Sequence, residues 1–199
     1  MVSAPSGAGK TTLCQRLTAD LRDIRHSVSY TTRKPRPNEV NDRDYSFVSE
    51  EDFRRMAAAG EFAEWAEVHG NLYGTSVKRV EEMLEGGVDA ILDVDTRGAA
   101  QLRKVYRDGV FVFILPPSMR ALRERLTARM SDSAEEIERR LKRARDEIRD
   151  YRSYDYVIVN DVFEAALREL EAIVTAKRLE SGSVDPEWVD ENFLLEEDV

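Results

Sequence analysis

The segment that most constrains the fold is a glycine-rich loop near the N-terminus, which runs from Ala4 into a helix-forming stretch. Gly7 and Gly9 can adopt positive φ without a steric clash at Cβ, so the backbone can curl and direct several N–H groups inward. A helix that begins near Lys10 adds unsatisfied N–H groups and partial positive charge at its N-terminus. The spacing predicts a phosphate-binding loop, although Ala4 stands where such loops usually carry a glycine. The alternative is a glycine-rich turn that only caps an ordinary helix.

Two side chains of this loop have specific roles in the prediction. Lys10 is expected to reach the β- and γ-phosphates of a nucleoside triphosphate, and the Thr11 hydroxyl is expected to hold Mg²⁺. Mg²⁺, with ATP as co-substrate, is therefore the expected cofactor. The residues predicted to bind ATP are Ala4, Pro5, Ser6, Gly7, Ala8, Gly9, Lys10, Thr11 and Thr12.

The strand expected before this loop is unusually short. Only Met1 and Val2 precede Ser3, whereas a strand is typically about five or six residues long. Either the chain as given starts late, or its central strand is a stub. We expect further apolar residues upstream in the native protein, because each buried Val, Leu or Ile contributes about 1.5–3 kcal/mol to stability. N-terminal sequencing of native protein tests this expectation, and Met1 as the true start would contradict it.

Composition indicates a globular protein in which phosphate-binding cations must be clustered locally. The chain has 199 residues, of which 42% are hydrophobic and 35% charged, which suits one domain with insertions. A net charge of −9 argues against nucleic-acid binding. No apolar run approaches the roughly 18 residues of a membrane span, and no signal peptide is visible. The single cysteine, Cys14, excludes an internal disulfide and favours a reducing, cytoplasmic location. Oligomeric state cannot be read from the sequence.

Most of the chain alternates predicted strands and helices, which indicates an α/β fold with a parallel sheet covered by helices on both sides. The apolar run Val88–Val94 is typical of a strand buried on both faces, and the runs 110–115 and 155–159 predict two more core strands. Two charged helices are predicted on either side of a break at 130–133, where a helical lid would hinge.

One interval, 29–76, departs from this alternation. It combines short strands with a loop rich in Pro, Arg and Asn, and a short strand is predicted at Ser27–Tyr30 where it begins. We interpret the interval as an inserted small subdomain. The expected organisation is a core of residues 1–28 and 77–180 with a lid at about 125–145, the subdomain of residues 29–76, and an acidic tail of residues 181–199.

A second cluster of cations lies in the loop after Thr31. Arg33 and Arg36 alternate with prolines, which fix φ and reduce the entropy lost when the loop becomes ordered. Two stiffened guanidinium groups suit an oxyanion with several oxygens, and the hydroxyls of Tyr45 and Tyr73 can donate further hydrogen bonds. The alternative interpretation is a solvated basic loop.

With these features in place, the sequence resembles the guanylate kinases over about Ser3–Arg178. The most specific evidence is the loop Thr-Thr-Arg-x-Pro-Arg-Pro at 31–37 together with the turn Tyr-Gly-Thr-Ser at 73–76. The other matching segments are 3–10, 28–30, 44–48, 61–64, 70–72, 91–95 and 157–161. The resemblance implies a P-loop NTPase-type core, an inserted GMP-binding subdomain, a mobile helical lid, and Mg²⁺-dependent transfer of the ATP γ-phosphoryl group to GMP.

The resemblance also implies roles for individual residues. Asp93 would lie beside the metal and phosphates, Arg129 and Arg140 would reach the triphosphate from the lid, and Lys10 would complete the catalytic set. The residues implied to bind GMP are Ser29, Arg33, Arg36, Tyr45, Glu64, Tyr73, Thr75 and Asp95. The departures from the family pattern are the short first strand and two residues, Asn38 and Asp42, where family members often have glycine.

The chemistry of guanine agrees with these assignments. Guanine presents two neighbouring donors, N1–H and N2–H₂, which an ionised Glu64 can accept, and the Ser29 hydroxyl can donate to O6. Glu64 and Asp93 each also have an alternative interpretation without a role in binding. Glu64 alone would be interpreted as a surface carboxylate, and Asp93 could cap the following helix, although Asp95 fits that role better.

Two other functions remain open at this point. One is a non-catalytic module that binds a phosphorylated protein through the second cationic cluster, against which the intact Lys10–Thr11 pair argues. The other is a kinase for a different phosphorylated acceptor, against which Ser29 and Glu64 argue, because together they match guanine.

Overall fold

The computed structural model describes residues 1–68, 70–128 and 133–194. The helices are α1 (Lys10–Asp20), α2 (Glu50–Ala58), α3 (Val77–Glu85), α4 (Thr96–Val105), α5 (Met119–Ala128), α6 (Ala134–Arg149), α7 (Phe163–Arg178) and α8 (Pro186–Val189). The strands are β1 (Val2–Ser3), β2 (Ile24–His26), β3 (Tyr30–Thr31), β4 (Ser46–Phe47), β5 (Phe62–Val68), β6 (Asn71–Ser76), β7 (Asp89–Ile91), β8 (Val112–Leu115) and β9 (Tyr156–Val159).

The core is a parallel sheet with the order β2-β7-β1-β8-β9. Strand β1 pairs with β8, β8 pairs with β9, and β2 pairs with β7, in each case parallel. A bridge between Val2 and Asp93 joins β1 to the chain that leaves β7. The two residues of β1 therefore lie at the centre of the sheet, and the prediction of a parallel α/β sheet flanked by helices is confirmed.

Helices cover both faces of this sheet. Ile91 belongs to the apolar cluster that contains buried residues of α1 and α7, whereas its neighbour Leu92 belongs to the cluster that contains Leu102 of α4. Successive side chains of a strand point to opposite faces, so the two clusters lie on opposite sides of the sheet. Because β1 runs parallel to the chain that leaves β7, the carboxyl ends of the two strands lie side by side at one edge of the sheet.

A second, mixed sheet of four strands has the order β4-β3-β6-β5. Strands β3 and β4 are parallel, whereas β6 is antiparallel to both β3 and β5. Phe53 of α2 stacks on Phe62 of β5 with ring centroids 4.5 Å apart. Gln101 of α4 donates to the carbonyl of Trp65 over 3.1 Å, which ties this sheet to the core.

The strand predicted at Ser27–Tyr30 is wrong. Core strand β2 ends at His26, and the chain enters the second sheet only at Tyr30. The residues between cross from one sheet to the other, because the Ser27 N–H still bonds to Ile91 of the core whereas the Ser29 carbonyl accepts from Ser46 of the second sheet. The sequence analysis missed β2 because it is short and only Ile24 is buried.

The tail beyond α7 consists of short helical turns as far as residue 194. Two of its aromatic side chains, Trp188 and Phe193, pack edge to face yet remain 52% and 68% exposed. Across the described ranges, every helix falls short of the length and apolar character needed to cross a bilayer.

Candidate active site

The glycine-rich loop connects β1 to α1 and adopts the conformation that its glycines permit. Gly7 and Gly9 both have φ of 95°, in the left-handed region. A Cβ on Gly9 would lie 2.3 Å from the side-chain nitrogen of Asn160, so glycine is required there for space as well as for φ. Gly9 precedes α1 and makes no side-chain cap, which leaves the first helical N–H groups directed at the loop.

Two residues that the sequence analysis missed hold this loop in place. The buried Asn160 side chain donates to the Ala8 carbonyl over 2.7 Å. Arg125 of α5 donates to the Asn160 carbonyl over 2.8 Å. A signal for Asn160 was present, because it directly follows β9, and in α/β sheets ligand-binding residues collect at the carboxyl ends of strands.

Lys10 and Asp93 meet at the edge where β1 and β7 end. The Lys10 ammonium forms an ion pair with the Asp93 carboxylate and donates to the Val94 carbonyl over 3.1 Å. Thr11 is exposed in the first turn of α1. Among the described residues there is no group of three or more His, Cys, Asp or Glu able to hold a metal. The Thr11 hydroxyl and the Asp93 carboxylate are hard oxygen donors, which fit Mg²⁺ when phosphate oxygens and water complete its shell.

A cavity of about 530 Å³ joins this loop to the second sheet. Arg140, together with Arg139 and Arg143, which the sequence analysis missed, extends from α6 into the cavity. The predicted ATP-side residues that line it are Ala4, Pro5, Ser6, Gly7, Gly9, Lys10, Thr11, Thr12 and Asp93. The predicted GMP-side residues that line it are Ser29, Tyr45, Glu64, Tyr73 and Asp95.

Four predicted residues lie behind or beside this cavity rather than on its surface. Ala8 is buried in the loop, and Thr75 lies beneath Glu64. Arg33 contacts the cavity wall through Tyr45, and Arg36 is exposed on its loop. A fifth residue, Arg129, lies outside the described residues.

Glu64 is the buried carboxylate of the second sheet. It lies on β5 opposite Thr75 of β6, whose hydroxyl donates to it over 2.7 Å. Only 6% of Glu64 is exposed, so it is not the surface carboxylate of the alternative interpretation. Burial raises its pKa to about 7, the nearby Asp95 charge adds to this rise, and the Thr75 hydrogen bond opposes it.

Gly98 in the first turn of α4 provides the space for this carboxylate. A Cβ there would lie 2.8 Å from the Glu64 Oε2 atom, too close for the side chain to keep its position. We expect Gly98→Ala to raise the KM for GMP about tenfold, because a displacement of about 1 Å can have large effects on a site. The KM for ATP should stay unchanged, measured by steady-state kinetics.

The control for this variant is Gly182→Ala in the tail, where an added Cβ meets nothing within 4 Å. Alanine favours a helix over glycine by about 1 kcal/mol, which offsets part of the cost of moving Glu64, and thermal melting establishes that the variant is folded at the assay temperature. An unchanged KM for GMP in Gly98→Ala would contradict the prediction that Glu64 binds guanine.

The second cationic cluster is organised by Glu39, which the sequence analysis also missed. The Arg33 guanidinium donates to both carboxylate oxygens of Glu39, over 2.9 and 2.8 Å. The Arg36 N–H donates to the same carboxylate over 2.8 Å. These bonds, that from Arg33 foremost, lower the pKa of Glu39 to about 2. Glu39 therefore holds Arg33 and the backbone of Arg36 together.

Two tyrosines complete the cluster. The Arg33 guanidinium carbon lies 5.4 Å from the centroid of the Tyr45 ring. Tyr45 in turn meets Tyr73 edge to face, with centroids 5.9 Å apart. Tyr45 and Tyr73 therefore line one side of the cavity, and Arg33 packs behind Tyr45.

Asp95 and Arg140 lie on the core side of the same cavity. The Asp95 carboxylate accepts from the Gly98 N–H over 2.8 Å and caps α4, which confirms the capping role predicted for Asp95 rather than Asp93. Arg140 pairs with Glu136 one turn earlier on α6, with nitrogen and oxygen 3.5 Å apart. Arg143 extends the same face of α6 towards Asp95, at 3.7 Å.

Comparisons with known proteins agree on one family. The guanylate kinase family model matches residues 1–177. Among curated proteins, the guanylate kinase of Geobacter sulfurreducens is 54% identical over 184 residues, covering 92% of this chain and 91% of its own. The guanylate kinase of Geobacter metallireducens is also 54% identical, over 97% of this chain and 95% of its own. The crystal structure of guanylate kinase from Anaplasma phagocytophilum matches with a TM-score of 0.76 and 34% identity, covering 98% of this chain and 94% of that one.

Proposed function

This chain belongs to the guanylate kinase family, and we propose that the cavity between its glycine-rich loop and its second sheet is where it transfers the γ-phosphoryl group of ATP to GMP, giving ADP and GDP. The observation that carries this assignment is one shared cavity, lined by Lys10 on one side and by Glu64 and Tyr45 on the other. Donor and acceptor nucleotides must meet in such a space for direct transfer.

The ATP half of the proposal rests on the loop and its surroundings. The backbone N–H groups of the glycine-rich loop and of the first turn of α1 bind the phosphates, together with the Lys10 ammonium. Arg140 approaches them from α6. Thr11 and Asp93 would hold Mg²⁺, which supplies charge neutralisation on the phosphate oxygens when it is bound. The lid role of Arg129 follows from the resemblance alone.

The GMP half of the proposal separates base from phosphate. Ionised Glu64 accepts from guanine N1–H and N2–H₂, and Ser29 donates to O6. Adenine has an acceptor at N1 and no N2 donor, so it would leave the buried Glu64 unpaired. Thr75 holds Glu64 through its hydrogen bond, and Asp95 forms the adjacent cavity wall. We assign the phosphate to Tyr45 and Tyr73, which line the cavity, and to Arg33 and Arg36 of the adjoining loop.

The protein supplies mainly position and charge to the reaction. The acceptor is a phosphate oxygen that is already ionised at neutral pH, so no general base is required. Lys10 and Arg140 neutralise the charge that spreads over the transferring group, and the second sheet presents the acceptor oxygen in line. Residues of 29–76 act as the GMP-binding subdomain and those near 125–145 as a lid that excludes water, because water would otherwise compete as acceptor.

The direct test is a coupled assay of ADP release with ATP and each of GMP, AMP, CMP and UMP. We expect activity with GMP and Mg²⁺, and strongly reduced activity with the other nucleotides or with excess chelator. Turnover of another monophosphate in preference to GMP would contradict the proposal that Glu64 and Ser29 select guanine. ATP and GMP are the proposed partners, in the cytoplasm, where a free thiol such as buried Cys14 stays reduced.

The affinity for GMP is expected to fall as the pH falls through about 7. Only the ionised carboxylate accepts both guanine donors, and burial raises the pKa of Glu64 to about 7, so below this pH GMP binding must expel a proton. The KM for GMP should be about tenfold higher at pH 6 than at pH 8, by mass action on this one group.

The phosphate of GMP itself titrates near pH 6, so a ligand without phosphate is needed as a control. Guanosine, measured as a competitive inhibitor, isolates the base. A similar rise in its inhibition constant at pH 6 is expected, and a flat profile between pH 6 and pH 8 would contradict the role of Glu64.

A further inference from the structure

Arg79 lies at the place where the chain passes between the two sheets. The chain makes this passage between β2 and β3 and again between β6 and α3. Arg79 lies in the first turn of α3, directly after the second passage. Its guanidinium donates over 3.1 Å to the carbonyl of Val28, which lies in the first passage. One side chain therefore connects both crossings.

The same guanidinium also holds the second sheet. It donates to the Ser46 hydroxyl over 2.7 Å and to an Asp42 carboxylate oxygen over 3.1 Å. It lies 4.4 Å from the centroid of the Tyr30 ring, a cation–π contact. Its side chain is only 30% exposed, so these contacts are partly shielded from water.

These contacts surround two of the residues proposed to bind GMP. Val28 and Tyr30 flank Ser29, and Ser46, the first residue of β4, directly follows Tyr45. The Asp42 N–H donates to the Tyr45 carbonyl over 2.9 Å. Arg79 is itself absent from the residues that line the cavity, so it can act on GMP only through the segments that it holds.

Asp42 adds a link that glycine would not provide. Its φ is 59°, in the left-handed region where glycine is most readily accommodated. Its carboxylate accepts from the Ser46 hydroxyl as well as from Arg79, and these two bonds lower its pKa, so it is charged at neutral pH. An exposed ion pair alone stabilises little. A planar guanidinium that is bonded to three acceptors, however, fixes their relative positions.

We infer that Arg79, with Asp42 as its partner, is a positioning residue that fixes Ser29 and Tyr45 relative to each other for the binding of GMP. The inference rests on the proposed function. It assigns to α3, an element of the core, control over the geometry of the GMP pocket. Lysine can replace arginine here only in part, because one ammonium lacks the planar fork that spans the three acceptors.

The test compares steady-state kinetics of Arg79→Ala and Arg79→Lys with those of the wild type. We expect the KM for GMP to rise about tenfold in Arg79→Ala and by a smaller factor in Arg79→Lys. The KM for ATP should stay unchanged in both variants. The matched control is Lys78→Ala, on the same helical turn, where the side chain is 84% exposed and pairs only weakly with Glu82 at 3.7 Å. It should match the wild type in both constants.

Asp42→Gly isolates the carboxylate, since glycine accepts the same φ. We expect a severalfold rise in the KM for GMP, and the double variant Arg79→Ala/Asp42→Gly should be less impaired than the product of the two single effects. If Arg79→Ala does not fold, Arg79→Lys and Asp42→Gly still decide the question. An unchanged KM for GMP in the folded variants, or an equal rise in the KM for ATP, overturns the inference alone. Lack of GMP turnover by the wild type overturns the proposed function and the inference together.

Discussion

Replacing Lys10 with alanine is expected to lower the turnover number for GMP phosphorylation about 10³-fold, the scale seen when a preorganised charge is removed from a transition state. The Lys10 ammonium lies between the glycine-rich loop and the carboxylate of Asp93. The variant loses this cation and its ion pair with Asp93. The loss should appear mainly in kcat, because charge on the transferring group develops in the transition state.

The binding of GMP separates this effect from general damage to the fold. Calorimetry should give Lys10→Ala a near-normal affinity for GMP, since the proposed contacts to GMP come from Ser29, the second sheet, its arginine loop and Asp95. Lys104→Ala is the matched control, because Lys104 is exposed on α4 and does not line the cavity. A kcat within tenfold of wild type in Lys10→Ala would contradict the assignment of the loop.

Replacing Glu64 with glutamine is expected to reduce kcat/KM for GMP roughly 10²–10³-fold while ATP binding stays near normal. Glutamine has nearly the same shape, but it presents an N–H₂ group where the carboxylate presents an oxygen. Guanine N1–H and N2–H₂ would then face a donor, and one buried donor would lose its partner. Steady-state kinetics with GMP and calorimetry with ATP measure the two halves separately.

Thermal melting provides the control for stability. Burial raises the pKa of Glu64 to about 7, so at pH 8 the folded protein carries an ionised carboxylate in a buried position, where the charge is unfavourable. Folded Glu64 binds protons more tightly than the unfolded chain, so its contribution to stability decreases as the pH rises towards 7. Glu64→Gln should therefore melt no lower than wild type at pH 8. Glu67→Gln, exposed on the same strand, should keep full activity, and a Glu64→Gln variant that does likewise would refute the base-reading role.

Local signals in the sequence were enough for much of the core. Gly7 and Gly9 mark the loop because few other residues tolerate their φ, and the apolar run Val88–Val94 marks a strand that is buried on both faces. Helix starts were also predictable, since Ser49 and Ser76 cap α2 and α3 through their own side chains. The error at Ser27–Tyr30 arose because this crossing between the two sheets alternates small polar and larger side chains, as a strand does.

The supporting contacts of the candidate site were not predictable, because they join residues far apart in the chain. Asn160 reaches Ala8 across 152 positions, and Arg79 reaches Val28 across 51. Neither pair carries a periodic or spacing signal. Glu39 was closer, six positions from Arg33, but the loop contains three acids and four cations, so the pairing could not be chosen from the sequence.

The sequence by itself determined the phosphate-binding loop, the parallel α/β core and the family to which the chain is similar. Each of these features depends on residues that are neighbours or regularly spaced in the chain. Tertiary structure alone decided that Glu64 is buried, that Gly98 makes room for it, and that both ends of the site open into one cavity. The physical reason is that desolvation, steric fit and the convergence of charges are properties of the space between elements, and the packing of distant segments creates that space.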